Sequence, residues 1–157
     1  MVPNRATEPL TPMNTPISVL LARKPVPSVH TLAPTATVKE AVKLMNQHRF
    51  GCVLVVDVAN LVGIFTERDV LTRVMGRERD PATTPLSAVM TVHPLTVSPT
   101  DTVEEVLTVI TGHQVRRLPV RDRKGDIVGL ISIGDLARWL VEKRQAEKSA
   151  AKGPAGA

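Results

Sequence analysis

The sequence predicts a mixed fold, α/β (α+β), in which two β-α-β-β-α units pack sheet against sheet with pseudo-two-fold symmetry. Three observations support this prediction. A segment of about 65 residues occurs twice along the chain. Within each copy, apolar residues with helical spacing alternate with the short apolar runs typical of strands. Finally, 157 residues with 43% apolar side chains suffice for one shared core, whereas a barrel of eight βα units needs about 250 residues.

The internal repeat is the strongest of these observations. Residues 31–50 and 96–115 are identical at seven of 20 positions when they are compared at a constant offset of 65. Two further pairs of segments also match: 62–74 with 128–140, and ISVLLA (17–22) with LSAVMT (86–91). Because a unit of this size buries little surface by itself, the two copies are expected to share one core.

Each copy contains the same elements in the same order. The short apolar segment ISVLLA or LSAVMT comes first, and a short strand then ends at Pro34 or Pro99. The next helix is signalled by Thr37 or Thr102, each three residues before a Glu, which is the spacing of a capping box. Two strands and a closing helix follow. The predicted strands are 29–32, 52–56 and 61–65, then 95–97, 117–120 and 127–132, and the closing helices begin near Glu67 and Ile133.

These elements define the boundaries of the units. Residues 17–80 form the first unit, residues 86–142 form the second, and 81–85 link them. Residues 1–16 are rich in Pro, Thr and Asn and are expected to be a disordered arm. Residues 143–157, which end in small and polar side chains, are expected to be a frayed tail.

Composition argues against several classes of protein. Cys52 is the only cysteine, so no intramolecular disulfide and no cysteine-based zinc site are expected, and a reducing, cytoplasmic location is predicted. Cys52 itself is expected to be a small buried apolar residue. His48 and His113 are expected to form hydrogen bonds at helix ends rather than to bind a metal. No apolar run suits a membrane span, and no P-loop, hydrolase or zinc-protease motif indicates an enzyme.

The most specific motif lies at the junction of the last strand and the closing helix. It reads GIFTERD in the first copy and GLISIGD in the second, with Thr66 and Asp69 at positions equivalent to Ser132 and Asp135. A helix N-terminus with a hydroxyl favours a phosphate, and a carboxylate accepts hydrogen bonds from a ribose diol. The alternative is ordinary helix capping, because Ser or Thr followed three residues later by an acidic residue is a common helix start.

Together with the repeat and the segments HRFGCVLVVD and HQVRRLPVRD, these motifs resemble a tandem pair of CBS domains, the Bateman module, over residues 17–142. The resemblance implies a non-catalytic regulatory module without a required cofactor. It would bind AMP, ADP, ATP, S-adenosylmethionine or a similar adenosyl ligand in two clefts. It would transmit occupancy to a regulated protein that the sequence does not identify.

The resemblance also implies roles for individual residues. The Asp residues would hold the ribose, the hydroxyls and arginines would hold phosphate, and the first strands would line the clefts. The implied ligand-binding residues are Thr31, Thr66, Arg68, Asp69, Thr96, Val97, Arg116, Arg117, Ser132 and Asp135. The alternatives are solvated arginines at a strand end, Arg68 on an exposed helix face, and ordinary sheet packing for the first strands. The first copy departs from the pattern, with Gly51 and Cys52 in place of the arginines, so its cleft is expected to take a less charged ligand or none.

The net charge of +5 lies in the chain ends: residues 1–24 carry +2, residues 137–157 carry +3, and the repeats between them are neutral. A nucleic-acid or acidic-protein partner for these ends is the alternative function. Aromatic residues for base stacking are nearly absent, however, and Trp139 is expected to be a packing or dimer anchor. The resemblance implies a homodimer built from the closing helices. Their apolar residues, expected at that surface or in the core, are Val70, Leu71, Val74, Leu136, Ala137 and Leu140.

Overall fold

The computed structural model describes residues 9–25 and 29–153. Its helices are α1 (Ile17–Ala22), α2 (Val38–His48), α3 (Glu67–Asp69), α4 (Val103–His113) and α5 (Ile133–Ala151). Its strands are β1 (Thr31–Leu32), β2 (Cys52–Asp57), β3 (Asn60–Thr66), β4 (Thr91–Val92), β5 (Arg117–Arg121) and β6 (Ile127–Ser132). Helix α3 continues directly into a π-helical turn, Val70–Val74, and a 3₁₀ turn, Met75–Arg77, while a second 3₁₀ turn, Leu86–Ala88, opens the second unit.

Both helices that were predicted to start with a capping box do so. The Thr37 hydroxyl accepts a hydrogen bond from the Glu40 backbone N–H, and the Glu40 carboxylate accepts one from the Thr37 N–H at 2.7 Å. Thr102 and Glu105 repeat this arrangement at α4. Capping satisfies N–H groups that the first helical turn leaves without partners. The apolar stripes of α2 and α4 then face inward, as their spacing predicts.

Each unit is built around one sheet, and the two sheets pack against each other as predicted. In the first sheet, β1 runs parallel to β2, and β2, β3 and β4 are antiparallel neighbours. In the second, β5 pairs with β6, and Val97 bridges Val120 in parallel, as β1 does β2. Alternate side chains of β2 point to opposite faces. Val53 and Val55 pack under the helices, whereas Cys52 and Leu54 join Leu130 of β6 between the two sheets. Sheet-against-sheet packing is therefore confirmed.

The opening segments of the two units are exchanged. Ile17 and Leu20 of α1 are buried in the core of the second unit, while Leu86 and Val89 are buried in the core of the first. The exchange explains the glycine of each repeated motif. A Cβ atom at Gly63 would lie 2.9 Å from Met90 Cγ, and one at Gly129 would lie 2.9 Å from Leu21 Cδ2. The units that are continuous in sequence are 17–80 and 86–142. In the folded chain, the core of each unit also contains the opening segment of the other copy.

The chain ends also differ from expectation. Residues 1–8 and 154–157 lie outside the described residues. Residues 9–16, expected to be disordered, pack against the second unit, because their carbonyls accept hydrogen bonds from the free N–H groups of the first turn of α4 and from Trp139 Nε1. Residues 143–151, expected to belong to a frayed tail, continue α5. Their Glu, Lys, Arg, Gln and Ala residues have high helix propensity, which outweighed their small and polar character.

Candidate functional site

The two repeated motifs form equivalent corners, where β3 turns into α3 and β6 turns into α5. In the first corner, Asp69 Oδ2 accepts hydrogen bonds from the Thr66 N–H at 2.9 Å and the Thr66 hydroxyl at 3.1 Å. In the second, Asp135 Oδ2 accepts one from the Ser132 N–H at 2.9 Å, and the Ser132 hydroxyl accepts one from the Asp135 N–H at 3.1 Å. The capping interpretation is therefore realised at both corners, and each cap fixes the orientation of its Asp.

Each corner is tied to the start of the neighbouring strand. The Glu67 N–H donates to the Gly51 carbonyl at 3.1 Å, and the Ile133 N–H donates to the Arg116 carbonyl at 2.9 Å. In the strand register, Cys52 lies opposite Thr66 and Arg117 lies opposite Ser132. The structure thus brings the backbone of Arg116 and Arg117 beside the second corner.

A residue that the sequence did not indicate, Lys24, completes the second corner. Its ammonium group donates to Asp135 Oδ2 at 2.8 Å and to the Leu130 carbonyl at 2.8 Å. The Asp135 side chain is only 13% exposed. Burial alone would raise the pKa of Asp135, but the hydrogen bonds from Lys24 and Ser132 outweigh it, and the net effect is a lowered pKa. Asp135 is therefore a fixed, ionised hydrogen-bond acceptor at neutral pH.

A groove of about 190 Å³ opens beside Asp135. It runs between the end of α1 and one face of α5. Arg23 and Glu142 form an ion pair of 3.0 Å across these two helices, and both Arg23 and Lys143 lie over the Trp139 ring. The lining residues are Leu20, Arg23, Lys24, Pro25, Asp135, Arg138, Trp139 and Glu142. Trp139 is largely buried and packs within the chain, one of the roles expected for it.

The first corner holds its Asp differently. Arg73 Nε lies 3.5 Å from Asp69 Oδ1, and Arg73 Nη1 donates to the Met90 carbonyl at 2.6 Å. Arg73, which the sequence did not indicate either, therefore links the corner to the exchanged segment. Arg68 is exposed, and in the described part of the chain its guanidinium has no hydrogen bond or ion pair.

The side chain of Arg117, in the second unit, extends to the first unit. Its guanidinium lies against Gly51, where an added Cβ atom would be 2.6 Å from Arg117 Cζ. It also lies near Cys52, which is buried as expected. Burial raises the pKa of the Cys52 thiol to about 11, although the positive charges of Arg117 and Lys24 oppose this shift. The thiol is thus protonated at neutral pH and a poor nucleophile.

The predicted ligand-binding residues of the first strands differ in their exposure. Val97 is buried in the core of the second unit, where it packs against its neighbours. Thr31 and Thr96 are exposed. Burial therefore favours the alternative of ordinary sheet packing for Val97.

Two of the histidines, His30 and His48, form a ring contact. The rings of His30 and His48 stack with their centroids 4.3 Å apart, and Phe50 lies 4.7 Å from His30. Burial and the neighbouring His48 lower the pKa of His30. Across residues 9–25 and 29–153, no group of three or more His, Cys, Asp and Glu side chains is arranged to hold a metal ion. Over the same residues, no helix has the length and apolar character to cross a membrane.

Comparisons with known proteins agree with the repeat. The sequence profile of the CBS domain matches residues 19–76 and 86–142. The chain is 38% identical over 109 residues to the CBS domain-containing protein YhcV of Bacillus subtilis, covering 69% of this chain and 76% of that one. Its structure is similar to a putative signal-transduction protein with CBS domains from Burkholderia ambifaria, with 35% identity and a TM-score of 0.78 over 82% of this chain and 95% of that one.

A third similar structure is the CBS domain protein PAE2072 from Pyrobaculum aerophilum, which was solved in complex with AMP. It has 27% identity and a TM-score of 0.71 over 83% of this chain and 99% of that one. One assignment follows from the two matches to the sequence profile, and it is consistent with the two exchanged β-α-β-β-α units and with the paired Ser/Thr-x-x-Asp corners. The chain belongs to the CBS domain family, as a tandem pair of CBS domains.

Proposed function

We propose that this chain is a non-catalytic regulatory module that binds an adenosine-containing ligand in its clefts and transmits occupancy to a partner protein. The observation that carries the proposal is the second corner, where an ionised Asp135 and the Ser132 hydroxyl cap the N-terminus of the 19-residue helix α5 and the Arg116 carbonyl accepts a hydrogen bond from the Ile133 N–H. The AMP complex of the similar protein from Pyrobaculum aerophilum supports this ligand class. AMP, ADP, ATP and S-adenosylmethionine are the candidates.

The second corner offers separate groups to the parts of a nucleotide. Asp135 Oδ2 already accepts hydrogen bonds from Lys24 and Ser132, while the polar neighbour of Oδ1 among residues 9–25 and 29–153 is Arg138 at 3.6 Å, beyond hydrogen-bond length. We expect a ribose hydroxyl to donate a hydrogen bond to Oδ1, which leaves the contact of Lys24 with Oδ2 in place. The exposed Arg116 guanidinium, which is anchored near the start of α5 through its own carbonyl, suits the phosphate.

Ligand binding is tested by thermal unfolding and calorimetry of the full chain with AMP, ADP, ATP, S-adenosylmethionine and adenosine. Because a ligand that binds only the folded state stabilises it by about 2.7 kcal/mol at 100 times Kd, a clear rise in Tm is expected. Asp135→Asn should weaken binding about tenfold or more, because it removes a charged acceptor. Asp126→Asn, in the exposed turn between β5 and β6, is the control and should bind normally. Absence of a Tm shift with every adenosyl compound at millimolar concentration would contradict the proposal.

A homodimer through the closing helices is part of the proposal. Val74 and Leu136 lie fully in the core and are unavailable to a partner, and Val70 and Leu140 are half-buried. Leu71, in contrast, is 68% exposed, and Ala137 is also exposed. Among these six apolar residues, Leu71 is therefore the large side chain that is available to a partner.

Light scattering after size-exclusion chromatography is expected to give twice the chain mass of 17.0 kDa. Leu71→Glu should reduce the mass to that of one chain, because it places a charge in the apolar contact. Val128→Glu, at another exposed apolar residue on β6, should leave the mass unchanged. A monomer in the unmodified chain would refute the dimer without affecting the ligand proposal.

The alternative, a nucleic-acid or acidic-protein partner, has one structural feature in its favour. The end of α5 is an ordered helix with exposed basic residues, Arg144 and Lys148 among them. Glu142 and Glu147 interrupt this face, however. A salt-sensitive shift in the electrophoretic mobility of DNA or RNA would favour this alternative.

A further inference from the structure

We propose that Gly51 sets the ligand preference of the first cleft by admitting Arg117 from the other unit, so that the Thr66–Asp69 corner binds a phosphorylated ligand. This inference rests on the proposed binding of adenosyl ligands. It reverses the expectation from sequence, in which Gly51 and Cys52 in place of the arginines give that cleft a less charged ligand or none. The cation is supplied by the second unit.

The position of Arg117 depends on the missing side chain at residue 51. An added Cβ atom at Gly51 would be 2.6 Å from Arg117 Cζ and 3.0 Å from Nη1, and closer still to Nη2. Real Cβ atoms do not approach other atoms so closely, so any other residue at this position displaces the guanidinium. The backbone of Gly51 does not itself require glycine, because its φ is not positive. The glycine is therefore needed for space rather than for backbone conformation.

The Arg117 guanidinium, in the space left by Gly51, lies beside the first corner. The Gly51 carbonyl accepts a hydrogen bond from the Glu67 N–H, immediately after Thr66, and the next residue, Cys52, lies opposite Thr66 in the strand register. The charge of Arg117 acts on the Cys52 thiol, on which Glu67 acts with the opposite sign. The guanidinium thus lies at the edge of the corner that contains the Thr66 hydroxyl and the buried Asp69 carboxylate.

The donors of Arg117 are available to a ligand. In residues 9–25 and 29–153, its guanidinium forms no hydrogen bond, and no carboxylate lies within the 4.0 Å of an ion pair. A planar guanidinium with free N–H groups binds two oxygens of a phosphate in parallel. Nearby Arg73 is already committed to Asp69 and to the Met90 carbonyl. Arg117 is therefore the cation that suits a phosphate at this corner.

The two adjacent arginines divide between the clefts. Arg116 directly precedes β5 and is exposed, whereas Arg117, the first residue of β5, is half-buried between the units. Arg116 remains beside α5 through its carbonyl. The start of β5 thus places one arginine near each cleft, although only the second repeat contains these arginines.

The test compares AMP with adenosine by calorimetry on the full chain, in an Asp135→Asn background that weakens the second cleft. Gly51→Ala is expected to lower AMP affinity about tenfold or more, the loss of a charge-assisted contact, and to leave adenosine affinity within about twofold. Arg117→Ala should give the same pattern even if Gly51→Ala perturbs folding. Gly112→Ala is the matched control, because an added Cβ atom there has nothing within 4 Å.

The outcomes separate this inference from the function on which it rests. A loss of AMP affinity in both Gly51→Ala and Arg117→Ala, with adenosine unaffected, supports it. Unchanged AMP affinity in both variants overturns the inference and leaves nucleotide binding intact. Equal losses for AMP and adenosine also overturn it, because they indicate a general distortion of the cleft. Failure of the unmodified chain to bind either compound overturns the inference and the proposed function together.

Discussion

Ile17→Ala is expected to lower the free energy of unfolding by about 2–5 kcal/mol, the usual cost of truncating a large buried aliphatic side chain. Ile17 precedes the first repeat strand in sequence, yet it is completely buried in the second unit with Leu136 and Trp139. Trp139, the only tryptophan, lies in the same core and reports its unfolding. Urea denaturation followed by tryptophan fluorescence measures the loss.

Two further variants test this prediction, one as a control and one at the equivalent position of the other unit. Val19→Ala alters the same helix at a side chain that is 41% exposed and should change the free energy by no more than about 0.5 kcal/mol. Leu86→Ala removes the reciprocal anchor, which is buried beside Val38 and Phe65, and should cost as much as Ile17→Ala. If Ile17→Ala and Val19→Ala had the same small effect, α1 would not be docked as described.

Lys24→Met is expected to lower the free energy of unfolding by about 1–3 kcal/mol at pH 7, because it leaves the Asp135 carboxylate without its partner in a mostly buried site. The loss should depend on pH. The pKa of Asp135 is lowered in the folded chain, so its ionisation contributes stability above the unfolded pKa, near 3.8, and this contribution disappears as pH falls through the folded pKa. Without Lys24, burial acts with less opposition and raises the pKa of Asp135.

The difference in Tm between Lys24→Met and the unmodified chain should therefore be largest near neutral pH and should narrow below about pH 4. Thermal unfolding from pH 3 to pH 8 measures it. Arg138→Met is the control, since Arg138 is 69% exposed and 3.6 Å from Asp135, and it should change stability by no more than a few tenths of a kcal/mol. Equal losses in the two variants, or a constant difference in Tm at all pH values, would contradict the prediction.

Local patterns in the sequence predicted what local interactions determine. Thr37 and Thr102 start their helices because the side chain and the partner Glu are three residues apart. Thr66, Asp69, Ser132 and Asp135 occupy the corners for the same reason. The repeat adds the long-range information that two equal units pair, which a single pattern of strands and helices does not contain.

The rest depended on contacts between distant residues. Lys24 and Asp135 are 111 residues apart, and nothing adjacent to either identifies the other. Strand alternation predicts that Arg116 and Arg117 separate, but the destination of Arg117 is decided by the space at Gly51, in the other unit. Residues 9–16 are ordered by unpaired N–H groups of α4, which composition does not reveal.

The exchange of opening segments bears on how such a chain arose. Each unit presents an apolar face over the glycine of its motif, Gly63 or Gly129, and this face is covered by a segment that belongs to the other unit. A single unit of this kind would complete its core only by exchanging its opening segment with a second molecule. In this chain, the two units that exchange their opening segments lie on one polypeptide. The reciprocal contact then no longer depended on the concentration of free molecules but on the length of the linker between the copies.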